Sequence, residues 1–252
     1  MATLQLRPAD LKRTIESSFL TLHFQPQVRV ADGTLQGVEA FVRWPHPIYG
    51  LIGPSEIIPL VEKGGLHAEF DRWVVRAACA QLMKWREDGV EVPLVATNIW
   101  GRTLQRPDAV DVVFRGLAET GVDPRWIELE TPRGSLSDSA LVERLVAIRA
   151  LGVRLASEEL IFGSRAPANL TFDTQKVPFP VSKEVFKNAN AIKAVVGASR
   201  STGARVVADS VETPEQEAAL HGLGVEIVQG YLYGPEVAPG ELRTLLSRRK
   251  DA

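Results

Sequence analysis

A single cysteine, Cys79, stands in a chain of 252 residues. That excludes an internal disulfide and any metal cluster built on several thiolates, and leaves a small buried apolar side chain in a reducing, cytoplasmic setting. Basic charge is equally short: 29 lysines and arginines against 31 acidic residues give a formal net charge of -2. A duplex-binding protein needs a positive footprint, so no DNA partner is expected. No apolar run approaches the roughly 18 residues of a membrane span, and the opening "MATLQLRPADLK" has no signal-peptide core, so no membrane span is expected. The four histidines, His23, His46, His67 and His221, follow no spacing that would make a metal-binding pair or a catalytic triad. What remains is an ordinary globular composition, 45% hydrophobic and 24% charged, in a chain long enough to bury a large core.

The apolar pattern alternates between short strand-like runs and longer helical ones. Strands are expected at 20–28, 36–44, 92–100, 126–131, 153–159, 173–178, 205–212 and 226–234. The clearest helix is "HAEFDRWVVRAACAQLMKWREDG", in which Phe70, Val74, Ala77, Cys79, Leu82, Met83 and Trp85 recur at roughly helical spacing and Gly89 stands where a helix would be capped. Further helical patterns run near 106–119, 137–150, 183–202, 214–222 and 239–248. Repeated alternation of strand and helix implies parallel strands joined by crossover helices, and eight such units are the size of a (β/α)8 TIM-like barrel of about 250 residues. One departure is legible. Only "RVADGTL" separates the first two strands, and its Asp32-Gly33 pair is a hairpin signal, so the first strand should run antiparallel to the second. No linker or repeat interrupts the pattern, and residues 1–252 read as one domain.

In such a barrel the side chains near the carboxyl ends of the strands form the active face. Those ends carry Glu39, Asn98, Glu130, the adjacent pair Glu158 and Glu159, Lys176, Asp209 with Glu212, and Gln229. Oxygen donors recurring on successive strands suit a hard cation such as Mg²⁺, Mn²⁺ or Ca²⁺. A lysine among them suits phosphate chemistry, because it can neutralise developing charge or position a water.

The motifs then point to a family. "QGVEAFVRWPHPIYGLIGPSEIIPLVEKGGL" resembles the signature of the EAL-domain cyclic-di-GMP phosphodiesterases, in which a Glu-Ala-Leu triplet precedes an Arg-Trp pair and a Gly-x-Ile-x-Pro loop. "TNIWGRTL", "IELET", "RVVADSVETPEQ" and "VQGYLYGPEV" resemble further family motifs, in family order, over about residues 10–246. The resemblance implies the EAL type of barrel, with its antiparallel first strand, and hydrolysis of cyclic di-GMP to linear pGpG with two divalent cations. It implies metal ligation by Glu39, Asn98, Glu130, Glu158, Glu159 and Asp209 with Mg²⁺ or Mn²⁺, and catalysis by Lys176 with Glu39. It further implies ligand contacts from Gln25, Arg43, Pro54, Gln229 and Pro235, with the planar fork of Arg43 the natural phosphate partner. The family is often fused to sensory or cyclase modules, and the early start of the barrel is expected to leave no room for one here.

The departures from the family pattern concentrate on catalysis. Phe41 replaces the leucine of the triplet. Glu158 and Glu159 stand for two aspartates, and Asp209 stands for a glutamate. Charge survives each exchange but reach does not: one methylene moves a carboxylate by roughly 1 to 1.5 Å, whereas Mg²⁺ wants oxygens near about 2.0 to 2.1 Å. The following loop becomes "EELIFGSRAPANL", with Pro167 inserted, and Arg133 replaces the glutamate that holds this loop in the family. These residues imply a degenerate member that receives cyclic di-GMP and signals to a protein partner, with a homodimer open to it and bound metal disfavoured. Two alternatives stay open: an active or weak metal-dependent phosphodiesterase, and a protein-interaction scaffold using an apolar patch at Leu160, Ile161 and Phe162.

Overall fold

The computed structural model describes residues 5–134, 136, 138–158 and 169–247. Glu159, the apolar run Leu160 to Phe162 and Pro167 lie outside the described residues.

The hairpin expected at Asp32-Gly33 is the start of the barrel. β1 (Thr21–Arg29) and β2 (Leu35–His46) pair antiparallel, with Gln25 opposite Glu39. Asp32 builds the turn, its Oδ1 accepting from the Thr34 amide at 3.0 Å and the Thr34 hydroxyl at 2.7 Å. Gly33 adopts φ +69°, a left-handed value that costs glycine little because it has no Cβ. A third, short strand, β3 (Gly50–Ile52), folds back antiparallel on the end of β2.

From β2 onward the ring is parallel. β2 pairs with β4 (Val95–Asn98), followed in order by β5 (Ile127–Thr131), β6 (Arg154–Ser157), β7 (Thr174–Val177), β8 (Arg205–Ala208) and β9 (Ile227–Gln229). β9 closes the ring by pairing antiparallel with β1. The fold is therefore an eight-stranded closed barrel with an antiparallel first strand, with β3 attached outside the ring.

Helices wrap the ring. α1 (Pro8–Glu16) precedes β1, and α2 (Pro54–Gly64) and α3 (His67–Glu87) lead to β4. α4 (Gly101–Leu104) and α5 (Ala109–Thr120) lead to β5, and α6 (Ser139–Ala150) leads to β6. α7 (Phe179–Lys183) and α8 (Ala189–Thr202) precede β8, α9 (Pro214–Gly222) precedes β9, and α10 (Leu242–Ser247) follows it. Among the described residues no helix is long and apolar enough to cross a membrane.

The period of two in each strand sorts side chains between the helical layer and the barrel interior. On β1, Phe24 faces outward and packs edge-on against Trp85 of α3, with ring centroids 4.6 Å apart, while its neighbour Gln25 faces the interior. Full burial of side chains of this size contributes about 1.5–3 kcal/mol each. Cys79 is fully buried in the same layer, and burial pushes its thiol up to about 12, so it behaves as an apolar residue.

Inside the ring the polar residues form two levels. At the amino-terminal end, fully buried Glu128 accepts from the Thr174 hydroxyl at 2.7 Å and from Arg205 Nη2 at 3.0 Å, with Arg154 Nε 3.5 Å away. Two residues along β5, Glu130 belongs to the level at the carboxyl end.

Several expected boundaries shift, and the strand expected at 226–234 is confined to 227–229. The strand expected at 205–212 ends at Ala208, because Ser210 turns the chain with φ +58°. The strand expected at 92–100 is confined to 95–98, where pairing with β2 and β5 is available.

Candidate functional site at the carboxyl rim of the barrel

Strand register assembles the site. Gln25 lies opposite Glu39, Gln27 opposite Gln229, and Asn98 beside Glu130. At the centre is Lys176, whose side chain is fully buried. Its ammonium donates to Glu39 Oε2 at 3.0 Å and to Glu130 Oε1 at 2.9 Å, and lies 3.0 Å from Asp209 Oδ1.

Amides surround this ion cluster. Asn98 Nδ2 donates to Glu39 Oε1 at 3.2 Å, and Gln229 Nε2 donates both to Glu39 Oε2 at 2.8 Å and to Gln25 Oε1 at 3.0 Å. Gln27 Nε2 in turn donates to Gln229 Oε1 at 3.0 Å, which fixes the orientation of the Gln229 amide. Glu39 is thus held by three donors from three other strands.

Such a buried cluster is stable only because opposite charges meet at hydrogen-bond distance. Burial works against the charged Lys176 ammonium, yet Asp209, Glu130 and Glu39 outweigh it and hold its pKa well above the ordinary value. Burial, reinforced by the charge of Glu39, raises Glu130 well above the usual carboxylate range. Burial pushes Asp209 up to about 7 against the pull of Lys176. Burial also raises Glu158, against the attraction of Lys176 and Arg133.

Above the cluster opens a cleft of about 440 Å³. Five of its lining residues are acidic, namely Glu39, Glu158, Asp209, Glu212 and Glu236, whereas Arg133 is its one cationic lining residue among those described. Apolar wall is supplied by Phe41, Pro178, Pro180 and Tyr231. A cleft with this charge balance attracts cations, and it accepts an anionic ligand only where local positive charge offsets the acids.

The remaining residues singled out in the sequence fall at different distances from this centre. Arg43 lies at the rim, where Nη2 is 3.7 Å from Glu236 Oε2 and Nη1 donates to the Val42 carbonyl at 2.9 Å. Pro54 is the first residue of α2, and Pro235 is exposed on the segment after Gly234; neither is among the cleft's lining residues. Arg154 meets Glu128 at the opposite end of the barrel. Sequence reasoning passed over Glu236, Ser210 and Tyr231 as lining residues. Glu236 had a signal in its place directly after Pro235, within the "VQGYLYGPEV" motif.

Glu39, Glu130, Asp209 and the Asn98 amide present oxygens suited to a hard divalent cation. Asp209 Oδ1 is buried and approaches Lys176 without an aligned hydrogen bond, so it has capacity for a further cationic partner. The donor set therefore fits Mg²⁺ or Mn²⁺ in kind. Among the described residues the carboxylates are gathered around the ammonium, and no three His, Cys, Asp or Glu side chains are grouped to hold a metal ion.

Comparison with known proteins agrees with this architecture. The family model described as "EAL domain" matches residues 9–236. The cyclic di-GMP phosphodiesterase NbdA of Pseudomonas aeruginosa is 34% identical over 235 residues, covering 89% of this chain and 30% of that protein. The bifunctional diguanylate cyclase/cyclic di-GMP phosphodiesterase MucR of the same organism is 31% identical over 238 residues, covering 89% of this chain and 34% of that one. The chain thus spans about a third of the length of these relatives. A solved MucR phosphodiesterase in complex with c-di-GMP superposes with a TM-score of 0.83 at 30% identity, over 93% of this chain and 98% of that one. The FimX EAL domain of Xanthomonas citri, solved in complex with c-diGMP, shares the fold, with a TM-score of 0.80 at 22% identity over 90% of this chain and 91% of that one.

Proposed function

Because the chain belongs to the EAL domain family, we propose that it binds cyclic di-GMP in the rim cleft as a catalytically impaired receptor or regulatory module, acting in the cytoplasm on a protein partner. The observation that supports this most is Arg133. It lines the cleft where the family pattern has a loop-holding glutamate, and its charge reaches Glu158. A guanidinium beside a carboxylate of the expected metal site offsets negative charge without a metal, and it offers a phosphodiester two parallel N–H donors. Asp209 in place of the family's glutamate works in the same direction, since the shorter side chain shifts a ligand oxygen by more than the roughly 0.5 Å that a productive site tolerates.

Binding and bond cleavage draw on different groups here. Gln25, Arg43 and Arg133 would orient the ligand through hydrogen bonds and charge, and Phe41 and Tyr231 would cover its bases. Lys176 would keep the ring of carboxylates together.

A second reading, a metal-dependent phosphodiesterase giving pGpG, is favoured by the convergence of Glu39, Asn98, Glu130 and Lys176. In that reading Glu39, Asn98, Glu130, Asp209, Glu158 and Glu159 would hold Mg²⁺ or Mn²⁺. A bound cation would polarise a phosphoryl oxygen and make its bound water more acidic. Lys176 would then hold the carboxylates at their spacing and stabilise charge on the attacked phosphate.

Calorimetry with cyclic di-GMP, with and without Mn²⁺, followed by nucleotide chromatography of the mixture, separates the readings. Micromolar binding that needs no metal, with the nucleotide recovered intact, is the expected result. Accumulation of pGpG in the Mn²⁺ sample would establish the second reading, and absence of binding under both conditions would refute both.

A further inference from the structure

Of the five acidic residues that line the cleft, Glu236 is the one placed against Arg43. It lines the cleft, its side chain is 22% exposed, and it pairs with Arg43, which is 13% exposed, at 3.7 Å. The backbone on either side is fixed to β1. Gly234 accepts from Gln25 Nε2 at 3.0 Å, while Val237 exchanges two backbone hydrogen bonds with Phe24 at 2.8 and 3.0 Å. Glu236 is therefore anchored between two tethers, and its carboxylate is delivered to Arg43 by the fold rather than by a free surface loop.

One Arg43 N–H is committed, since Nη1 donates to the Val42 carbonyl, and its Nη2 faces Glu236, so a phosphate that takes up Nη2 meets the carboxylate. An incoming phosphodiester oxygen and the Glu236 carboxylate compete for the same cation. The separation of 3.7 Å, longer than a charge-assisted hydrogen bond, makes the pair easy to exchange. Partial exposure lets the displaced carboxylate turn toward water.

We propose that Glu236 is a competing anion built into the cleft, which holds Arg43 until a phosphate displaces it and so sets the affinity of the site for its phosphodiester ligand. This rests on the reading of the cleft as a cyclic di-GMP site. Affinity is thereby reduced by an intramolecular rival, and a ligand must bring enough negative charge to Arg43 to win the exchange.

The test is calorimetric titration of cyclic di-GMP into the wild-type chain, Glu236→Gln, Arg43→Ala and the double variant. Glu236→Gln should bind about fivefold more tightly, the release expected from a partly screened ion pair. That gain should vanish in the Arg43→Ala background, because the carboxylate then has no cation to withhold. Weaker binding by Glu236→Gln would overturn the proposal and make the carboxylate an acceptor for the guanine N–H groups. An unchanged affinity, with Arg43→Ala still weakening binding, would overturn it while leaving the nucleotide site intact. No binding by any of the four proteins would refute the nucleotide site itself, and this proposal with it.

Discussion

Replacing Lys176 by methionine removes the one charge that holds the carboxylates of the ring together. The ammonium lies within 3.0 Å of oxygens from Glu39, Glu130 and Asp209, and its side chain is fully buried. At an effective dielectric of about 20, each contact at this distance corresponds to roughly 5 kcal/mol of direct attraction, most of it offset by the cost of burying the charges. Removing one partner of a buried pair costs about 3–5 kcal/mol, because the other charges stay behind unpaired. That cost depends on pH. Asp209 already titrates near 7 and Glu130 is raised well above the usual range with the lysine in place; without it both rise further. Carboxyls whose folded pKa exceeds the unfolded one favour the folded state at low pH and lose that contribution as pH rises through the folded value. Lys176 itself is charged in both states below its unfolded value and adds no slope between pH 5 and 8. Urea unfolding should therefore show Lys176→Met destabilised by about 3–5 kcal/mol at pH 8 and by clearly less at pH 5.5. Saturating Mn²⁺ should restore about 2–3 kcal/mol, the stabilisation expected at about 100 times the dissociation constant, if the cation takes the ammonium's place. A loss below about 1 kcal/mol, or the same loss at both pH values, would refute the view that the ring depends on this charge.

Three further outcomes follow from other parts of the fold. Asp71 on α3 is buried, accepts from the Trp100 amide at 3.0 Å, and is pushed by burial to about 7; Asp71→Asn should flatten the loss of stability between pH 4 and 7, worth up to roughly 4 kcal/mol, in denaturant titrations across that range. A Cβ on Gly230 would come within 2.2 Å of the backbone N and O of Val211, so Gly230→Ala should cost more than about 3 kcal/mol or abolish soluble expression; an unchanged melting curve would contradict the close approach. Ser210 holds φ +58° in a position suited to glycine, and Ser210→Gly should raise stability by about 0.5–1 kcal/mol in the same urea assay, whereas a destabilised variant would show that the serine side chain contributes more than its backbone costs.

The parts of the fold that were legible in the sequence are those specified locally. The Asp32-Gly33 turn sets the direction of β1 through its own hydrogen bonds, and α9 starts where Thr213 and Gln216 form a reciprocal cap around Pro214. α1 and α2 escaped notice: α1 buries only Leu11, Thr14 and Ile15, and α2 carries Pro54 at its start and Pro59 within it. β3 spans three residues and exists only by pairing with β2, so no period could announce it. For the site, Asn98, Glu130 and Lys176 could be found because each ends or nearly ends a strand, whereas Glu39 lies within β2, which runs on to His46, and the register brings the four together. Glu236 belongs to no strand. Its place in the cleft depends on tethers from Gln25 and Phe24, more than 200 residues away, which composition and period do not encode.

The amino-terminal level of the barrel, where Arg154 and Arg205 converge on Glu128 beside Thr174, has a bearing on how such a chain can change over time. Strand β5 contributes one glutamate to each level, so a single short segment secures the floor while its next inward residue serves the mouth. With the floor clamped independently, carboxylates at the mouth can be lengthened, shortened or replaced without opening the ring. A scaffold of this kind can outlive its chemistry and still offer a partner the same outline.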